Sequence, residues 1–176
     1  MLKPEKLTGI RTELIPLVKE DYEWVYLAAN DPEIWEQHPD KLRYTPYGFT
    51  KFFKKLLGTD LPYVIIETQS QKIIGATSFY QWDEENQSVV IGYTFLAKAY
   101  WGGPINREIK TLMLRHAFQK VKRVFFQVGR HNERSKKALA KIGACFDPVA
   151  SRDLDTERVV FSIDKPTFLK QQSNSE

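Results

Sequence analysis

The sequence predicts an α+β fold of three-layer (α/β-type) build, a central sheet with helices on both faces. Three observations carry that prediction. The first is the order of hydrophobic patterns: strand, two helices, three strands in succession, helix, strand, helix, final strand or hairpin. The second is a pair of contiguous apolar runs at 63–66 and 89–91, the pattern of strands covered on both faces. The third is the join Tyr100-Trp101-Gly102-Gly103-Pro104-Ile105-Asn106-Arg107-Glu108, where an aromatic, β-branched run stops and an amphipathic helix starts.

Each element has its own signal. Arg11 to Val18 reads as the first strand, ending at Pro16-Leu17. Asp21 to Asn30 places Tyr22, Val25, Tyr26 and Ala29 on one helical face, and Asn30-Asp31-Pro32 ends that helix. Pro39 to Thr50 reads as a loop, followed by a short helix through Leu57. Strands over 62–68, 72–81 and 88–96 are joined by the hairpin-length connections Gln69-Ser70-Gln71 and Asp83-Glu84-Glu85-Asn86. Ile105, Ile109, Leu112, Met113, His116 and Ala117 recur at helical spacing, giving a long helix from about Pro104 to Lys120. Val121 to Val128 is the next strand. Asn132 to Ile142 is a helix burying Ser135, Ala138, Leu139 and Ile142, stopped by Gly143. Val159, Phe161 and Ile163 alternate in the last strand, and 170–176 reads as a polar, disordered tail. With no repeat and no linker, 1–176 reads as one domain.

Composition narrows the function. The 176 residues are 42% hydrophobic, with 26 basic and 22 acidic side chains and a formal charge of +4. Such a mild excess makes Lys51, Lys54 and Lys55, and Lys120, Lys122 and Arg123, solvated faces. No base-stacking motif accompanies them, so no nucleic-acid partner is expected. Cys145 is the single cysteine, which excludes an internal disulfide and a cysteine metal cluster; between Ala144 and Phe146 it reads as a small buried residue. No run reaches membrane-spanning length, so the expected location is cytoplasmic.

At the glycine join, Gly102 and Gly103 permit a tight turn, and Pro104 gives up an N–H that no helix partner would use. Unpaired N–H groups and the positive end of the helix dipole then converge where an anion, best a phosphate, can sit. A plain strand-to-helix connection uses the same residues, so spacing alone leaves both readings open.

Order adds what spacing lacks. Ile91-Gly92-Tyr93-Thr94-Phe95-Leu96, Tyr100-Trp101-Gly102-Gly103 with Asn106 and Glu108, Leu112-Met113-Leu114-Arg115-His116-Ala117-Phe118, Asn132-Glu133-Arg134-Ser135-Lys136-Lys137-Ala138 and Ile142-Gly143-Ala144 follow one another along the chain. Together they resemble the GNAT N-acetyltransferase superfamily, most closely the branch of the ribosomal-protein alanine N-acetyltransferases RimJ and RimL. The resemblance spans about Leu7 to Ile163. It implies a GNAT-like fold whose mixed, mostly antiparallel sheet splays between the fourth and fifth predicted strands. It also implies acetyl-CoA as cosubstrate, no metal, and direct acetyl transfer to a primary amine. Expected partners are an amine-bearing small molecule or a protein N-terminus, with homodimerisation open.

Residue roles follow from the same resemblance. The family pattern Gln/Arg-x-x-Gly-x-Gly/Ala, whose amides cradle pyrophosphate, falls on Trp101, Gly102, Gly103, Pro104, Ile105 and Asn106. The chain departs from it at Trp101, Pro104 and Asn106; the side chains of Asn106 and Arg107 could replace the donor Pro104 lacks. Main-chain groups of Phe95 and Leu96 would pair with the pantetheine arm. Asn132 would contact that arm, and Ser135 would protonate the departing thiolate; both also suit a helix start. Val90 stands where relatives often carry Glu, so no base is assigned. Glu67, Asp83, Glu84 and His38 read as surface groups, His116 as packed and His131 as loop. Trp35, Tyr44, Tyr47, Phe49, Tyr80 and Trp82 are candidates for the acceptor wall, several of them core. Val90 and Pro104 also fit an alternative, a catalytically silent CoA-binding sensor of the same fold.

Overall fold

Strand alternation deals the apolar side chains onto two faces of one sheet. In the computed structural model, which describes residues 1–152 and 154–173, the strands are β1 (Leu7–Thr8), β2 (Thr12–Pro16), β3 (Leu61–Glu67), β4 (Ile73–Asp83), β5 (Ser88–Leu96), β6 (Arg123–Gly129), β7 (Cys145–Phe146) and β8 (Arg158–Asp164). The helices are α1 (Tyr22–Ala29), α2 (Pro32–Trp35), α3 (Pro46–Leu57), α4 (Ile105–Ala117), α5 (Glu133–Lys141) and α6 (Lys165–Ser173). The sheet order is β1-β2-β3-β4-β5-β6-β8-β7, antiparallel throughout except for the parallel pair β5–β6.

Leu14, Tyr63, Ile65, Val89 and Ile91 pack with Ile109 and Met113 of α4. Their neighbours Ile15, Val64 and Ile66 belong to the opposite face, with Phe49, Phe52 and Leu56 of α3 and Val25 of α1. Glu108 fastens α4 to the sheet: its Oε1 accepts from Thr12 N–H (2.8 Å), Thr12 Oγ1 (2.8 Å) and Arg11 N–H (2.9 Å).

Two features of β5 govern the middle of the sheet. It pairs with β6 only at Ser88, Val89 and Val90, opposite Arg123, Val124 and Phe125, and beyond that point the strands part. This is the expected splay. A bulge lies just past the parting: Ser78 pairs with Gly92 and Ala76 with Phe95, so Tyr93 and Thr94 together face Thr77. Tyr93 takes φ +53° there, and the alternation flips. Ile91 lies on the α4 face, whereas Tyr93 and Phe95 lie on the α3 face.

Several expectations need correction. Part of the Pro39–Thr50 loop is helical, because Thr45 Oγ1 accepts from Gly48 N–H (3.1 Å) and starts α3 with Pro46. Val121 and Lys122 precede their strand. Residues 170–173 are not a disordered tail but the end of α6, where Phe168 is buried against the Phe118 ring at 5.3 Å; 174–176 lie outside the described residues. Cys145 is exposed, not buried, because it sits on the short edge strand β7. His116 is packed as expected, its Nε2 lying 3.1 Å from the Lys3 carbonyl. Among the described residues, no helix is long and apolar enough to cross a membrane.

Candidate active site

The gap between β5 and β6 opens into a cavity of about 470 Å³. On the α4 face its wall begins at the glycine turn. Gly102 takes φ +74°, and a β-carbon at Gly102 or Gly103 would have no atom within 4 Å, so the turn stands clear for close approach. Pro104 is the N-cap, one position earlier than its predicted first-helical place, and no side chain caps the helix. The first helical hydrogen bond runs from Glu108 N–H to the Pro104 carbonyl at 3.0 Å, leaving the amides of Ile105 and Asn106 directed out of the helix end.

Of the residues expected at a cofactor, Phe95, Leu96, Trp101, Gly102, Gly103, Asn106, Arg107, Asn132 and Ser135 all line this cavity, whereas Pro104 and Ile105 do not. Phe95 pairs with Ala76, and Ala97 N–H bonds the Ile74 carbonyl (2.8 Å), so both are turned to β4. Alternation then turns the Leu96 main chain to the parted edge. Its carbonyl accepts there from Trp101 Nε1 at 2.9 Å. Trp101 is covered in turn by the Arg134 guanidinium, 3.8 Å from the ring centroid, and Arg134 Nη2 donates to the Ile34 carbonyl at 3.0 Å. These contacts bridge α5 and α2 beside the cavity. Asn132 Oδ1 caps α5 by accepting from Ser135 N–H at 3.1 Å. Ser135 and Ala138 are half-buried on the cavity wall, and only Leu139 and Ile142 reach the core as predicted.

On the α3 face, Trp35 and Tyr80 line the cavity; Tyr44, Tyr47, Phe49 and Trp82 do not. Phe49 is core and Tyr47 is exposed. His38, expected at the surface, lies in the cavity wall. Burial, and then the Arg43 charge, push it down to about 4, and its Nδ1 already accepts from Asp40 N–H at 2.9 Å. It is neutral near pH 7 and a weak base.

Two cavity residues, Arg43 and Lys110, carried no signal in the linear pattern, and Arg134 entered it only as part of the Asn132–Ala138 run. Lys110 is the most consequential. Its Nζ donates to Thr94 Oγ1 at 2.7 Å and lies 5.5 Å from the centre of the Phe126 ring, so it spans the parting strands. Burial pushes it down to about 7. No Asp or Glu is among the described residues lining the cavity. Tyr80 is raised by burial, which leaves Lys110 as the one shifted group positioned to exchange protons near neutrality.

The profile of the Acetyltransferase (GNAT) domain matches residues 11–144. The chain belongs to the GNAT acetyltransferase family. Solved GNAT structures superpose on nearly all of it. A T. thermophilus protein assigned as an acetyltransferase is 27% identical, with TM-score 0.79 over 99% of this chain and 96% of that one. A GCN5-related N-acetyltransferase from Brucella melitensis is 18% identical, with TM-score 0.82 over 98% and 85%. Mycobacterium smegmatis RimJ, solved with CoA-disulfide, is 17% identical, with TM-score 0.73 over 98% and 95%. No curated protein matches the sequence significantly. As a GNAT member, the chain is an N-acetyltransferase of α+β fold, and its family uses acetyl-CoA. No group of three or more potential metal ligands occurs among the described residues.

Proposed function

We propose that this chain transfers acetyl directly from acetyl-CoA to a primary amine, within the gap between β5 and β6. One observation carries the reading: a single cavity joins an uncapped helix start with open glycines to a buried lysine amine. The amides of Ile105 and Asn106, with Gly102, Gly103 and the Asn106 and Arg107 side chains, would hold the diphosphate. Pro104 contributes shape and no donor. The parted edge at Leu96, beside Phe95, would receive the pantetheine arm, with Trp101 and Asn132 flanking it. Acetyl-CoA supplies an activated acyl carbon and a thiolate leaving group.

An arm that starts at the glycine turn and follows β5 backwards from Leu96 runs towards the crotch, where Lys110 and Thr94 meet. Lys110, neutral in a fraction of molecules near pH 7, takes the proton of the attacking amine. Ser135 donates to the departing sulfur. This supplies the base that Val90 does not.

The acceptor belongs to either of two classes, a protein N-terminus, as in the RimJ/RimL branch the motifs resemble, or a small amine. Pro104 also fits a CoA-binding sensor without chemistry. Free thiol released from acetyl-CoA over a panel of primary amines decides between them. Turnover above background on an amine supports the transferase; tight CoA binding with no release on any amine supports the sensor.

A further inference from the structure

We propose that the acceptor amine also carries an anionic group, a carboxylate or phosphate, which Arg43 receives at the α3 face of the cavity. This rests on the transferase reading of the same cavity and adds the chemical class of the substrate.

Arg43 lines the cavity, yet its side chain is only 11% exposed. Its guanidinium lies over the rings of Phe52 (4.6 Å) and Trp35 (5.4 Å), which fix its plane. Among the described residues its one ion-pair partner is Asp40, reached through Nε at 3.4 Å, and Asp40 is 54% exposed. Nη1 and Nη2 make no hydrogen bond among the described residues. A buried guanidinium held flat with its terminal fork unused is built for two oxygens of one anion.

The surroundings point the same way. Arg158 lines the same cavity, and its partner Asp155 is 3.8 Å away in a half-exposed pair that does little to neutralise it. His38 and Tyr80 stand nearby in the cavity wall and carry no negative charge near neutrality. With no carboxylate on the described lining, a polyamine would meet Arg43, Arg158 and Lys110 with nothing to pair its second charge. An amino acid or aminoalkyl phosphate meets the opposite situation: the anion sits on Arg43 while the amine reaches across the gap towards Lys110.

The test is kcat/KM for thiol release on amines matched in length, with and without an anion: β-alanine and O-phosphoethanolamine against propylamine, with spermidine as the polycation. The expected result is a preference of about tenfold or more for an anionic member. Which of β-alanine and O-phosphoethanolamine leads distinguishes carboxylate from phosphate. Arg43→Gln should erase the preference through KM while kcat moves little. If that variant does not fold, Arg158→Gln, at a half-exposed position, must reduce the preference severalfold. Equal or better turnover of propylamine or spermidine overturns the inference and leaves the transferase reading standing; an unchanged preference in the folded variants also overturns it. Absence of thiol release on every amine overturns both.

Discussion

Lys110 Nζ and Thr94 Oγ1 lie 2.7 Å apart, joining α4 to the bulged segment of β5. Thr94 Oγ1 is in turn 2.8 Å from Thr77 Oγ1, which reaches Met113 Sδ at 3.1 Å. The amine therefore ends a chain of neutral groups, with no carboxylate to hold its proton. The bulge makes this meeting possible, because the flip at Tyr93 turns Thr94 towards α4.

Lys110→Met should lower acetyl transfer about 100-fold or more, the range of a lost proton acceptor, while CoA affinity by calorimetry changes little. Since the neutral amine is the active form, the wild-type rate should climb with pH through about 7 and level off; the variant should lack that limb. Stability rises with pH as well. The folded lysine titrates near 7 against 10.5 when unfolded, so its cost is full below 7 and fades as pH rises towards 10.5. The variant should melt a few degrees higher at pH 7 and lose the alkaline gain.

Gly102→Ala tests the turn. A β-carbon meets no protein atom, but φ +74° costs an alanine roughly 1–2 kcal/mol. The melting temperature should fall by a few degrees, and CoA affinity should fall about tenfold as the methyl enters the diphosphate's space. Calorimetry and thermal denaturation together separate the two effects.

Phe168→Ala should destabilise the fold by about 3–5 kcal/mol, measured by denaturant unfolding, because the ring is buried against Phe118. A disordered C-terminal segment would give no such loss.

Cys145→Ser should change stability by less than about 0.5 kcal/mol and leave thiol release unaltered. The native thiol should react promptly with a chromogenic disulfide, as an exposed edge-strand cysteine does.

Much of this was legible in the sequence because the signals are periodic and local. Ile109, Met113 and Ala117 announce the buried stripe of α4, and Gly102, Gly103 and Pro104 announce its entry. Asn132 caps α5 where its pattern placed it. What escaped depends on the sheet coming apart. Lys110 lies beside Ile109 and reads as polar surface; only the parting of β5 from β6 creates a buried space for it. Arg43 sits in a stretch read as loop, and its role needs the Trp35 and Phe52 rings, which approach it only in three dimensions. The helix at 165–173 escaped because one ring, Phe168, anchors an otherwise polar stretch.

The decisive experiment is a crystal structure grown with CoA. The diphosphate should lie against Gly102–Asn106 at the start of α4, with the thiol in the crotch near Lys110 and Thr94. Density at another surface, or an empty gap between β5 and β6 at saturating CoA, would rule out acetyl transfer in that gap.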